Sequence, residues 1–156
     1  MHAAFSLYWA LGGRWLLNTV GKWALDWADR APVAAGLVLA GVTVAKLAAA
    51  ALPLAVASGR LSWSRGWQVL MWAGAVGLVV YGTANAVGAW LVLAGLVTVE
   101  GAREMPALVG HAVLWDPLFA AWGVLLALGL RQLRRAGQAK LDGVAPAALA
   151  VDQDLS

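Results

Sequence analysis

The chain has 156 residues, of which 62% are hydrophobic and only 12% are charged, whereas soluble domains are about half apolar and about a quarter charged. Its net charge of +3 is spread over the ends of apolar segments and forms no basic patch, which argues against a nucleic-acid partner. The absence of cysteine excludes disulfides, thiolate metal sites and cysteine nucleophiles. Together these properties predict an all-α integral membrane protein with the lipid bilayer as its first partner.

The first apolar segment, residues 1–13, is too short for a complete crossing. A helix needs roughly 20 residues to span a hydrocarbon core of about 30 Å, and Arg14 already follows this segment. The segment has neither the basic start nor the cleavage site of a signal peptide. We interpret it as a truncated first span, which either begins partway through the bilayer or continues upstream.

The next segment, NTVGKWALDWADRAP, carries its charges at helical spacing. Lys22, Asp26, Asp29 and Arg30 follow i, i+4, i+7 and i+8 steps, and two i,i+4 ion pairs, Lys22 with Asp26 and Asp26 with Arg30, would support this polar face. The pattern predicts a short amphipathic helix lying in the outer interface between helices 1 and 2. A connector packed on the other helices is the alternative.

The chain contains ten tryptophans, a residue that concentrates at the level of the lipid headgroups. Half of them stand where apolar segments meet polar sequence, and we interpret those as interfacial anchors. The predicted anchors are Trp15, Trp23, Trp27, Trp63 and Trp67.

Three further segments are long enough to cross the membrane, at residues 32–57, 67–99 and 107–130. With the truncated first span they predict a four-helix transmembrane bundle within residues 1–135. Residues 136–156 are rich in Ala, Gly and polar residues without a sustained apolar face, which predicts a flexible cytoplasmic tail.

Basic residues indicate the topology of these spans. Arg60 and Arg65 lie between the second and third spans, and Arg131, Arg134 and Arg135 follow the fourth. The positive-inside rule places both regions in the cytoplasm. The sequence therefore predicts a multi-pass protein of the plasma membrane with both termini cytoplasmic.

Polar residues inside the spans form a predicted intramembrane cluster. Counting about 1.5 Å per residue from the outer ends, Lys46 and Asn85 both lie roughly 21 Å deep and Asp116 roughly 14 Å deep. A charge at this depth usually faces the helix bundle and finds a partner. The hypothesis is a buried ion pair of Lys46 and Asp116 braced by Asn85 and Tyr81; interhelical packing is the plainer role of Tyr81 and Asn85.

The fourth span contains GHAVLWDPLFAAWG, with an acid, a histidine and a proline in apolar sequence. His111 and Asp116 are five residues apart, about 140° around an ideal α-helix, and so should not share a face. Pro117 removes an N–H and disfavours helical geometry before it, which predicts a helix break with Asp116 as the cap of the inner half-helix. Asp116 thus has two alternative roles, cap or partner of Lys46.

No signature of a soluble enzyme appears, and the chain has only two histidines. No catalytic residue, metal site or cofactor is therefore assigned. An outward pocket of Tyr8, Trp9, His111 and Trp115 is the remaining candidate site.

Four blocks, YWALGGRW (8–15), KLAAA around Lys46, YGTANAVGA (81–89) and GHAVLWDPLFAAWG (110–123), resemble a family of small bacterial four-helix membrane proteins known as domain of unknown function 3995. The resemblance covers residues 5 to 135 and implies four helices and no established activity. Family members begin with a further apolar stretch before the first block, where this chain departs from them.

The most direct reading of these features is a non-enzymatic membrane protein whose polar interior serves helix packing or binds a ligand, a partner subunit or a second copy. A small transporter with Lys46 and Asp116 as a charge relay is one alternative. An intramembrane enzyme using His111 and Asp116 is the other.

Overall fold

A computed structural model describes residues 2–62, 64–98 and 104–153, with side chains through residue 138. Within those ranges the chain is helical and contains no strand. The helices are α1 (His2–Ala10), α2 (Lys22–Arg30), α3 (Pro32–Ala57), α4 (Arg65–Leu93), α5 (Met105–Gly110) and α6 (Asp116–Gln153). A 3₁₀ turn, Leu17–Thr19, precedes α2, and a π-helical turn, His111–Trp115, joins α5 directly to α6.

Three stretches of helix are long and apolar enough to cross a membrane: Pro32–Ala57, Arg65–Leu93 and Met105–Gln138. Large apolar side chains on them point away from the protein, as lipid-facing side chains do; Val33 and Leu37 are 74% and 70% exposed. The predicted four-helix count is not confirmed, because the described residues form five helices when α5 and α6 are counted as one, and only three of the five are long enough to span.

The predicted amphipathic helix is present as α2, with part of its predicted charge pattern. Arg30 pairs with Asp26 at 3.4 Å. Arg14, which lies between α1 and the 3₁₀ turn, pairs with Asp29 at 2.7 Å. The predicted pair of Lys22 and Asp26 does not form among the described residues. One of the two predicted i,i+4 pairs is therefore present, and the interfacial position of α2 stays a prediction.

Helices α4 and α6 form the most extensive contact in the fold. Small residues seven apart, Ala75, Gly82 and Ala89, line the buried side of α4. A Cβ atom added at Gly82 would come within 2.5 Å of the Ala120 backbone nitrogen and closer still to the Asp116 carbonyl oxygen. The two backbones approach each other this closely because small residues leave no side chain between them.

This contact corrects the predicted inward positions on α4. Tyr81 is 53% exposed and Asn85 is also exposed, with its amide donating to the Tyr81 carbonyl at 2.8 Å. Two stripes of small residues run along this helix. Gly74 and Gly77 lie on the same side as Tyr81, and the structure leaves open space around both glycines. The stripe through Gly82 is the one that packs.

Helix α1 packs antiparallel against α3, with its C-terminal end near Gly36 and its N-terminal end near Lys46. The helical backbone of α6 continues to Gln153 and so includes most of the predicted tail. The cytoplasmic location and flexibility of residues 136–156 stay predictions.

The predicted tryptophan anchors differ in exposure. Trp15 and Trp23 are 66% and 63% exposed. Trp67 instead packs against a cluster of buried residues, Val56, Met71 and Leu130. Trp27 is half-buried, and Trp63 lies outside the described residues. Their headgroup-level positions stay predictions.

Candidate functional site

The π-helical turn brings together the histidine and the acid that the sequence analysis kept apart. His111 Nδ1 lies 2.9 Å from Asp116 Oδ2. The expectation of about 140° between them assumed an α-helix, but a π turn bonds residue i to i+5 and so places residues five apart on one face. The predicted separation of the two side chains is wrong for this reason.

The predicted helix break at Pro117 is also absent. Asp116 has helical backbone angles, φ −76° and ψ −39°, and α6 continues from it without interruption. In an i to i+5 ladder the Ala112 carbonyl would meet Pro117, which has no N–H to donate. The Trp90 indole donates to that carbonyl at 3.1 Å instead. Asp116 is therefore a side chain within a continuous helix and does not cap a half-helix.

The second imidazole nitrogen of His111 reaches back to the segment before α2. Nε2 lies 3.3 Å from the Val20 carbonyl oxygen, which can only accept, so Nε2 carries a proton. Nδ1 then either donates to an ionised Asp116 as part of an imidazolium, or accepts from a protonated Asp116. In both cases the His111–Asp116 pair holds one shared proton and is neutral overall.

This neutrality allows the pair to lie in apolar surroundings. The Asp116 side chain is 1% exposed, and that of His111 is 37% exposed. Oδ1, the second carboxyl oxygen of Asp116, is buried without a hydrogen-bond partner in the described part of the chain. An isolated carboxylate at this position would be costly, and the shared proton removes that cost.

A tryptophan and a threonine add a second connection between the same segments. The Trp115 indole donates to the Thr19 hydroxyl at 3.0 Å, and that hydroxyl donates to the Leu16 carbonyl at 2.6 Å. Gly110 packs directly on Thr19, where a Cβ atom would collide with its side chain and backbone. We call the set Thr19, Val20, His111, Trp115 and Asp116 the outer clamp, because it joins the segment before α2 to the π turn at the end of the helices that the positive-inside rule predicts to be outside.

Aromatic rings pack against one another among the residues of the predicted outward pocket. Trp9 and Trp115 meet edge to face with centroids 5.3 Å apart, and Phe5 contacts Trp115 at 5.2 Å. Tyr8 packs over Gly13, where its hydroxyl lies 3.5 Å from the Trp15 backbone nitrogen that donates to it. Of the predicted pocket residues, His111 and Trp115 belong to the outer clamp.

Lys46 lies apart from Asp116 and has partners that the sequence analysis missed. Its Nζ donates to Ser6 Oγ at 2.9 Å and lies 5.8 Å from the centroid of the Phe119 ring. Tyr81 meets the same ring edge to face at 5.6 Å. The predicted ion pair of Lys46 and Asp116 is not formed, because the π turn directs Asp116 to His111.

Two of the three missed residues carry weak sequence signals. Ser6 is a small polar residue in an apolar helix, and Thr19 precedes α2 as a capping residue would; both fit structural roles equally well. Phe119 carries none. The described residues include no group of three or more His, Cys, Asp or Glu side chains that could hold a metal ion.

Comparison with known proteins gives one match. A family model described as "Protein of unknown function (DUF3995)" matches residues 1–126. No curated protein and no solved structure matches the chain.

Proposed function

Because this chain belongs to DUF3995, a family of proteins of unknown function, we propose a function from its own geometry: a non-enzymatic plasma-membrane protein that presents a fixed outer surface to a partner subunit or second copy. In this proposal α1 and the three long helices form the transmembrane unit. The outer clamp holds the segment of residues 14–31 against that unit.

The observation that carries the proposal is that both imidazole nitrogens of His111 and the Thr19 hydroxyl already have hydrogen-bond partners. His111 has Asp116 on one nitrogen and Val20 on the other, and the Thr19 hydroxyl accepts from the Trp115 indole and donates to the Leu16 carbonyl. A general base needs a free lone pair directed at a substrate. The arrangement supports a fastening role because neither imidazole nitrogen of His111 is left free, and the unpartnered Asp116 Oδ1 is buried.

A relay of charge between Lys46 and Asp116 has no support from the contacts. Each of the two side chains has its own partner, Ser6 for Lys46 and His111 for Asp116. The transporter hypothesis would need a route for protons between these two sites.

We expect His111→Leu to speed backbone hydrogen exchange in the 3₁₀ turn Leu17–Thr19 and in α2 by about tenfold, the effect of losing one hydrogen bond of about 1.4 kcal/mol. Hydrogen exchange with mass spectrometry in lipid nanodiscs measures this rate. Val113→Leu is the matched control, because Val113 lies in the same turn and is 54% exposed. Unchanged exchange in α2 of His111→Leu would refute the fastening role.

The His111–Asp116 contact itself favours a second candidate, an intramembrane enzyme in which Asp116 orients His111 as a base. That function requires Nε2 to leave the Val20 carbonyl. Diethyl pyrocarbonate acylates a free imidazole nitrogen, and a His2→Gln background leaves His111 as the sole histidine. The clamp predicts slow modification at neutral pH, whereas modification as fast as that of free histidine would favour the enzyme.

A further inference from the structure

A partly open cleft of about 370 Å³ lies between α1, α3 and α6. Its volume is within the range of about 300 to 1,000 Å³ that is usual for small-molecule sites. The cleft remains between these helices because α3 and α6 make few contacts with each other. The walls are mainly apolar, with Leu47, Ala50, Trp122 and Leu125 among them, and two polar residues, His2 and Lys46, line one end.

The polar end of the cleft has unused hydrogen-bonding capacity. A lysine ammonium has three donors, and the Lys46 Nζ has one protein acceptor, Ser6 Oγ. His2 stacks on Phe119 with ring centroids 4.1 Å apart. Its Nε2 is buried and has no hydrogen-bond partner in the ranges that the structure describes. Lys46 and His2 thus both have nitrogen groups that could bond to the oxygen acceptors of a ligand in the cleft.

No described residue supplies a counter-charge for Lys46. Lys46 has no ion pair among the described residues. Within α1, α3, α4 and residues 105–138 the sequence supplies one carboxylate, Asp116, and His111 uses it. A second copy of the chain has the same shortage, so dimerisation would not supply an acid at this depth.

We propose that this cleft binds a long-chain carboxylic acid, with the carboxyl group at Lys46 and His2 and the hydrocarbon tail along Leu47, Ala50 and Leu125. Lys46 is fourteen residues into α3, roughly 21 Å from its outer end, so it lies near the middle of the bilayer. A phospholipid headgroup stays at the membrane surface, whereas a protonated fatty acid is neutral and enters the hydrocarbon.

The charges balance in the resulting complex. When the neutral acid binds the Lys46 ammonium it releases one proton to the aqueous phase, and the resulting carboxylate and ammonium are neutral as a pair. Pairing also removes the cost of an isolated cation at mid-bilayer, which is about 3 kcal/mol on insertion scales. The site does not depend on the outer clamp, so loss of clamp function would leave the binding intact.

The test is equilibrium binding of radiolabelled hexadecanoic acid to the protein in phosphatidylcholine nanodiscs. We expect Lys46→Met to weaken binding at least about tenfold, the loss of a charge-assisted hydrogen bond, and Lys46→Arg to stay within about threefold of the natural chain. Val44→Met is the matched control, because Val44 is on the same helix and 67% exposed. Hexadecan-1-ol, which lacks the acid, should bind about tenfold more weakly than the acid to the natural chain.

A single engineered thiol tests occupancy of the cleft, because the chain has no cysteine. Hexadecanoic acid should protect Ala50→Cys from a membrane-permeant maleimide and leave Val44→Cys reactive. Equal binding of acid and alcohol, or equal binding by the natural chain and Lys46→Met, would overturn the proposal. Displacement of the acid by phosphatidylglycerol at equal concentration would overturn it too, because the site would then recognise a lipid headgroup. The acid and alcohol comparison on the natural chain needs no variant to fold.

Discussion

Asp116→Ala is expected to lower the free energy of unfolding by about 3 kcal/mol, whereas Asp116→Asn is expected to lower it by less than about 1 kcal/mol. The alanine removes the partner of His111 Nδ1 and leaves an empty space where a side chain 1% exposed now lies. The asparagine keeps the shape and can donate an amide N–H to Nδ1, as the protonated carboxyl does, while Nε2 still donates to Val20. Denaturation in mild detergent, followed by tryptophan fluorescence, measures both variants.

Comparison of the two substitutions shows whether His111 needs a hydrogen-bond partner at position 116 or a negative charge there. Equal and large losses for Asn and Ala would mean that the pair requires an ionised carboxylate. Lys46→Met supplies the internal control, because Lys46 and Asp116 have separate partners and sites without shared partners combine additively. If Lys46→Met instead rescued the stability of Asp116→Ala, that result would support the ion pair of Lys46 and Asp116 that the sequence suggested.

Gly82→Ala is expected to cost about 1 to 3 kcal/mol, the usual penalty for overpacking a closely packed contact. The new methyl group would meet backbone atoms of Asp116 and Ala120, and backbone cannot rotate away as a flexible side chain can. The α4 and α6 helices must therefore separate, and the π turn moves with them. Thermal unfolding monitored by circular dichroism measures the loss.

Gly74→Ala is the matched control on the same helix. A Cβ at Gly74 would have nothing within 4 Å, and alanine is the better helix former, so its stability should equal or exceed that of the natural chain. Equal stability of the two variants would contradict the close approach of α4 and α6 at Gly82.

Much of the architecture could be predicted because it depends on length and composition. The second span was predicted at 32–57, which are the bounds of α3, and the charge spacing of residues 22–30 predicted α2. Depth in the bilayer stays a prediction, which rests on the rise per residue of a helix. Hydropathy could not choose between the two small-residue stripes of α4, because both are compatible with a packed face.

The candidate site was less accessible, because it depends on rotation around a helix. A single π turn shifts every side chain after it relative to those before it, and hydropathy does not record that shift. Pro117 was the available signal, since it marks a place where the α-helical hydrogen bonds fail, and it was interpreted as a break. The Trp90 indole, more than twenty residues away in sequence, allows a turn there instead.

The most direct test of this account is the environment of the Asp116 carboxyl group in a lipid bilayer. Solid-state NMR on protein labelled with ¹⁵N in histidine and lysine and ¹³C in aspartate measures which nitrogen lies beside that carbon. The account predicts a strong dipolar coupling to His111 Nδ1, as the 2.9 Å contact requires, and none to Lys46 Nζ. A coupling to Lys46 Nζ without one to His111 would contradict the π turn and the outer clamp together.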